Sequence, residues 1–361
     1  MSEEMGNIDT AIAAAKKSVV SREKELGEEA VLPSGPVGLD IGTSHIVMAQ
    51  NNGKHINTVK QLNAFFTIPY AKFTKKILLD NDVSFFEKDK QFYILGYSAD
   101  NFANMFNTNT RRTMEKGLLS AKEPEGVTVM KSIISTLIKK SKGNGETICF
   151  SMPGEPVGGT NSVVYHESII KMFLTEKGYK PISINEGLAT VMSELANDNF
   201  TGIGISMGGG MCNICLAYLS VPVITYSIQK GGDYIDNMVG LSLGEPATKV
   251  KVIKEASLNL SKPPTNRVET ALHIYYQDLI DSLLQSLEDV LQSSDKIPKI
   301  AQPIPIALSG GTVMPEGFQE MFSKSLKNYN LPVEISQVRI ARNPLNTTAK
   351  GAMVMALSEE I

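Results

Sequence analysis

Three cysteines and four histidines in 361 residues leave little material for a disulfide framework or a histidine-built metal site. So few thiols (Cys149, Cys212, Cys215) fit a reducing cytoplasm. Cys212-Asn213-Ile214-Cys215 spells a CxxC, but it sits inside an apolar strand-like run without a second pair. Its odd spacing sends the two thiols to opposite faces, so it reads as core packing. His45, His55, His166 and His273 are scattered without ligand spacing. The net charge is only −3 and no long basic run occurs, which argues against capture of nucleic acid. No stretch of about eighteen apolar residues reads as a transmembrane segment, and Met1-Ser2-Glu3-Glu4 does not open like a signal peptide. Two nucleotide-binding spellings are missing as well: no Gly-x-x-x-x-Gly-Lys-Ser/Thr run and no Gly-x-Gly-x-x-Gly opening a helix.

What is present is a chain with 42% hydrophobic residues, enough to bury a substantial core and long enough for two domains. Residues 1–35 stand apart as a charged N-terminal tail, Ala-rich and then charged, ending in Pro33-Ser34-Gly35-Pro36. The tail carries seven acids and four bases. It reads either as a solvated arm of marginal helicity or as a segment that docks a cargo or adaptor protein. Beyond it, alternation and turn residues predict strands over 37–50, 54–60, 63–70 and 91–96, a helix over 127–140, and a strand over 147–152. Helices over 163–177 and 187–196 flank a strand over 181–186. A strand, glycine turn and strand over 201–230 begin what reads as a second pass through the same arrangement. Apolar residues from Val268 to Val290 recur at a helical period and predict an amphipathic helix over 265–292.

Three glycine-centred segments occur in fixed order: Gly38-Leu39-Asp40-Ile41-Gly42-Thr43-Ser44, Gly204-Ile205-Ser206-Met207-Gly208-Gly209-Gly210 and Ala307-Leu308-Ser309-Gly310-Gly311-Thr312. Glycine permits tight turns and removes the side chain that keeps a phosphate away from backbone N–H groups. One such turn is usually just a hairpin. Two of them can clamp a single phosphate tail, with Asp40 at the mouth of the first to orient a magnesium-bound water.

These segments resemble the actin-like ATPase superfamily and, within it, bacterial actins of the MreB and MamK type. Asp40 to Ser44 looks like the first phosphate loop and Met207 to Gly210 like the second. Arg112-Thr113-Met114-Glu115-Lys116-Gly117-Leu118-Leu119 is similar to the segment that returns to the first domain, and Ile184-Asn185-Glu186-Gly187-Leu188-Ala189 to the connection between the halves. Gly231-Gly232-Asp233 has a spelling found in MreB. Gly310-Gly311-Thr312 resembles the adenosine loop, and Asn343-Pro344-Leu345 with Ala349-Lys350-Gly351 the closing segment. The resemblance implies an α/β, ribonuclease H-like duplicated fold with two domains, four subdomains and a central nucleotide cleft. Domain I would span 36–180 with a small subdomain near 70–111. Domain II would span 181–361 with one near 237–296.

It further implies ATP or ADP with Mg²⁺ as ligands, and self-association into a cytoplasmic filament that organises a cargo, a magnetosome-like organelle or cell shape. Gly42, Thr43, Ser44, Ser206, Gly208, Gly209, Gly210, Gly231, Gly232, Asp233, Gly310, Gly311 and Thr312 would line the nucleotide, and Asp40 would hold the metal through water. Lys254 would contact the ribose, with Lys251 as the alternative. Glu167 is the nearest match to the water-activating glutamate, with Glu155 in reserve. The family's second phosphate loop carries an aspartate where this chain has Ser206. A hydroxyl orders water more weakly than a carboxylate, so slow hydrolysis or a pseudo-ATPase scaffold follows. A small-molecule kinase or phosphatase of the same fold is the competing reading.

Overall fold

The computed structural model describes residues 35–51, 55–106, 108–141, 145–157, 163–300 and 302–360. The N-terminal tail, apart from Gly35, lies outside them. The first half begins with β1 (Val37–Ile41), β2 (His45–Asn51), β3 (Ile56–Leu62) and β4 (Ala64–Pro69), followed by α1 (Lys72–Asp80), β5 (Phe85–Lys88), β6 (Gln91–Leu95) and α2 (Gly96–Met105). Short strands β7 (Arg111–Arg112), β8 (Met114–Glu115) and β9 (Leu118–Leu119) lead to α3 (Gly126–Leu137), β10 (Thr147–Met152), α4 (Val163–Glu176) and β11 (Lys180–Asn185). The chain then crosses through α5 (Glu186–Glu194) to β12 (Gly202–Met207), β13 (Cys212–Tyr218) and β14 (Val221–Ile228). Helices α6 (Gly232–Leu243), α7 (Ala247–Ser257) and α8 (Arg267–Gln292) precede β15 (Ile304–Ser309), α9 (Phe318–Leu326), β16 (Ile335–Ile340) and α10 (Thr347–Ser358).

The second pass read from the sequence is a duplication of topology. One sheet runs β11-β10-β1-β2-β3 and the other β16-β15-β12-β13-β14. In each, the first strand of the pass lies at the centre, pairs antiparallel with the hairpin strand that follows it, and pairs parallel with the fourth. All six residues of β10, β12 and β15 are buried, which is why they read as continuous apolar runs rather than alternating ones. The halves differ in what is inserted. The first carries the small sheet β5-β6-β4-β7, and the second carries α6, α7 and α8. Residues 181–185, assigned to the second half from the sequence, complete the outer strand of the first sheet.

Two helices join the halves. Helix α5 packs on β12 and β13, α10 packs on β1 and β10, and the two helices pack on each other. Small residues make that approach possible: a Cβ on Gly351 would overlap the Ala189 carbonyl, one on Gly38 the Ala349 carbonyl, and one on Gly204 the Gly187 carbonyl. On β13, Cys212 faces the large core under α8 whereas Cys215 faces the core around α5. The CxxC is therefore divided between opposite faces of one sheet.

Candidate functional site

The strand ends of both sheets that face each other carry the glycine turns. In the first, Gly42 N–H donates to His45 O at 2.9 Å, closing the β1–β2 turn. The buried Asn63 fixes its orientation: its side-chain amide donates to Gly42 O at 2.9 Å, and its backbone N–H to Ser44 O at 3.0 Å. Because a trans peptide points its N–H opposite its carbonyl, binding Gly42 O to Asn63 turns Thr43 N–H away from Asn63. Thr43 Oγ1 accepts from Gly117 N–H at 3.0 Å, which ties the β8–β9 turn to the same place.

The second turn follows the same logic. Gly232 N–H and Thr312 Oγ1 both donate to Gly208 O, at 3.0 and 2.9 Å, and Asp233 N–H donates to Gly209 O at 2.8 Å. With these carbonyls held at the N-terminus of α6, the N–H groups of Gly209 and Gly210 point the other way. The turns come close: a Cβ on Gly209 would lie 2.5 Å from Ser44 Oγ, and one on Gly210 would lie 2.5 Å from Thr43 Oγ1. Any side chain there would fill the space between inward-turned amides and hydroxyls. That donor set, next to a helix N-terminus, fits a phosphate chain.

The third segment backs the second. Gly310, at φ 92°, sits against β12 where a Cβ would overlap Met207 O, and its N–H donates to Pro344 O at 3.0 Å. Lys254 reaches this cluster from beneath α6. Its buried ammonium donates to Gly232 O at 3.1 Å and lies 2.8 Å from the Asp236 carboxylate. Burial pushes the Asp236 carboxyl up to about 6 against the pull of Lys254. Lys251 instead lies 3.8 Å from Glu255. Gly231 forms the N-cap of α6, where a Cβ would lie 2.6 Å from Gly208 O.

The acid chemistry is arranged differently from the sequence reading. Glu167 lies on α4, where its carboxylate accepts from Ser183 Oγ at 2.6 Å and pairs with Lys171 at 2.7 Å. The hydrogen bond from Lys171, aided by Ser183, holds its carboxyl below the usual range. None of these partners belongs to the glycine turns, so Glu167 does not join them. Glu155 is exposed, and Ser227 N–H donates to its backbone carbonyl at 3.0 Å.

The carboxylate that does stand between the turns is Glu186, opening α5 directly after the N-cap Asn185. Its Oε2 accepts from Asn213 Nδ2 at 2.9 Å and from Ser206 Oγ at 3.1 Å. Burial, and then the charge of Asp40, push its carboxyl well above the ordinary carboxylate range. Asp40 is likewise raised by burial, opposed by the hydroxyl of Ser151, which donates to its Oδ1 at 2.8 Å. The local sequence signal for Glu186 was an acid placed between a capping Asn and Gly187. Its significance depends on the second sheet bringing Ser206 and Asn213 against it.

Two enclosed carboxyls, each raised by burial and one raised further by the charge of the other, make a place for a cation. Among the described residues no cluster of three or more His, Cys, Asp or Glu side chains could hold a metal alone. This donor set suits Mg²⁺, which keeps waters and uses one or two carboxylates together with substrate phosphates. Among the described residues no helix is long and apolar enough to cross a membrane.

Solved structures share this architecture. The MamK double helical filament superposes with a TM-score of 0.67 at 17% identity, covering 90% of this chain and 99% of that one. MreB5 of Spiroplasma citri bound to AMPPNP gives 0.66 at 12% identity, covering 91% and 97%. The ethanolamine utilization protein EutJ from Carboxydothermus hydrogenoformans gives 0.55 at 15% identity, covering 90% and 91%. The chain has the actin-like fold of the MamK and MreB structures. No curated protein sequence matches it. A family model, Volactin, matches from residue 36 to residue 356, a span that holds both sheets, the glycine turns and all but the last two residues of the closing helix; the chain belongs to the Volactin family.

Proposed function

We propose that this protein binds ATP with Mg²⁺ between its two halves, assembles with copies of itself into a cytoplasmic filament, and hydrolyses the nucleotide slowly. The observation that carries the reading is the pair of facing turns, whose carbonyls are tied back on Asn63, α6 and Thr312 while their N–H groups turn inward. Thr43, Gly209 and Gly210 would donate to phosphate oxygens, and Asp40 would hold the metal through water. Bound Mg²⁺ supplies charge neutralisation on the phosphates. Glu186 is the residue placed to receive the proton of the attacking water, at the carboxyl oxygen that Ser206 and Asn213 do not use. A raised proton affinity suits that role near neutral pH. Ser206 spends its hydroxyl on Glu186 and adds no carboxylate, which supports slow turnover.

Assembly follows if nucleotide draws the halves together and the closed form joins copies better than the open one, since a ligand shifts an equilibrium only through its different affinities for two states. Support for self-assembly comes from the likeness to a MamK filament structure. Sedimentation with Mg²⁺ and ATP, a non-hydrolysable analogue, or ADP tests it. Pelleting is expected with ATP and the analogue and reduced with ADP, and no nucleotide-dependent pelleting across salt and protein concentration would overturn the filament reading.

A further inference from the structure

We propose that Arg112 distinguishes a triphosphate from a diphosphate in this site, staying paired with Asp233 when the diphosphate is bound and moving onto the terminal phosphate of the triphosphate. The inference rests on the nucleotide reading above and names the residue that gives the site its preference.

Arg112 lies on β7, whose partner is β4 of the small sheet in the first half, with Arg112 opposite Ala64. Asp233 lies in the first turn of α6 in the second half. Arg112 Nη1 donates to Asp233 Oδ2 at 2.8 Å, so this ion pair spans the two halves. It does so beside the glycine turns: a Cβ on Gly209 would lie 3.3 Å from Asp233 Oδ1 and 2.5 Å from Ser44 Oγ. An anion held between Ser44 and Gly209 therefore sits within a side chain's length of the guanidinium.

Asp233 is a carboxylate next to that anion and is repelled by it. Arg112 is a planar cation matched to carboxylate and phosphate alike. Adding negative charge between the turns weakens the claim of Asp233 on the guanidinium and supplies a stronger one. Both side chains are 29% exposed, so the guanidinium can move without unpacking a core. Arg111 cannot substitute, since it is bound to Glu123 at 3.1 and 2.5 Å and lies over the Phe65 ring. Transfer of Arg112 would also replace a direct strap between the halves by one that runs through the nucleotide, which ties phosphate number to their relative position.

The test is equilibrium binding of a non-hydrolysable ATP analogue and of ADP, each with Mg²⁺, to the full chain and to Arg112→Gln, Asp233→Asn and the double variant. Losing one charge-assisted contact is expected to weaken the analogue roughly ten- to a hundred-fold in Arg112→Gln while ADP affinity stays within about twofold. Retained ADP binding shows that the variant is folded. Asp233→Asn frees the guanidinium and is expected to raise the analogue-to-ADP affinity ratio, and to lose that effect when Arg112 is also replaced. Wild-type protein that binds neither nucleotide would overturn the nucleotide reading itself. Wild-type binding combined with equal loss of both ligands in Arg112→Gln, no loss, or an unchanged ratio in Asp233→Asn would overturn this proposal alone.

Discussion

Replacing Glu186 by Gln removes one of two carboxyls that share the space between the halves. Gln can keep an oxygen where Oε2 accepts from Ser206 at 3.1 Å and Asn213 at 2.9 Å, so the contacts that position it survive. What disappears is the mutual repulsion with Asp40 and the cost of burying a second charge. In the ligand-free protein the folded pKa of Glu186 lies above its unfolded value, raised by burial and then by Asp40. Stability linked to that proton is therefore complete below the unfolded carboxylate range and is lost as pH rises through the folded value. At pH 4 the wild type carries almost none of the penalty, and at pH 8, close to the folded value of about 8, most of it. Each tenfold change in proton affinity corresponds to about 1.4 kcal/mol, so Glu186→Gln should gain roughly 1–3 kcal/mol at pH 8. That is a rise in melting temperature of about 2–6 °C, and it should shrink toward zero at pH 4. Phosphate release with Mg²⁺ and ATP should fall by roughly 10²–10⁴-fold, the usual worth of a positioned general base. Melting curves from pH 4 to 8 without nucleotide, paired with phosphate release at neutral pH, read both effects. A variant that melts lower at pH 8, or hydrolyses as fast as the wild type, would refute the assignment.

Ser206→Asp places a third carboxyl against Glu186 and should lower the melting temperature of the ligand-free protein, by roughly 1–3 kcal/mol of stability at pH 8. It should speed phosphate release, and a release assay giving an unchanged or slower rate would reject the view that a missing carboxylate limits turnover. His166 is buried on α4 with neither ring nitrogen hydrogen-bonded among the described residues, and burial pushes it down to about 4. Its contribution is present above the ordinary histidine range and lost as pH falls through 4. His166→Leu should therefore melt progressively higher than wild type as pH drops from 7 to 4, by about 1–3 kcal/mol at the acid end, and parallel melting profiles would contradict this.

The duplicated sheets were legible because their information is local: alternating or continuous apolar runs, with glycine at the turns between them. Helix α8 was legible for the same reason, with observed ends at Arg267 and Gln292 inside the expected 265–292. The allegiance of β11 was not, since an apolar run such as Ile182-Ser183-Ile184 does not say which sheet it joins, and its pairing with β10 is decided by the crossover through α4. The glycine turns that come together, with Thr43, Ser44, Gly209 and Gly210, could be named in advance from their spelling. The carboxylate between the turns could not, because Asp40, Glu186, Ser206 and Asn213 meet only when both halves have folded and α5 has docked on β12 and β13. Glu167 satisfied a positional rule, early in a helix after a strand and Pro turn, yet its surroundings are Lys171 and Ser183. Lys254 lies beneath Gly232, where its ammonium is buried and paired with Asp236, a partner that the spacing did not foretell.

The central claim is that a nucleotide's phosphates occupy the space between Ser44 and Gly209, and calorimetric titration of Mg²⁺ and ATP analogue into the full chain and into Gly209→Ala tests it most directly. The added methyl would lie 2.5 Å from Ser44 Oγ, a hydroxyl that can turn aside, so the fold should persist while the space between the turns narrows. The account expects saturable binding to the wild type and at least about tenfold weaker binding to the variant at nearly unchanged melting temperature, the loss of one or more phosphate contacts. Equal affinity in the two proteins would contradict it.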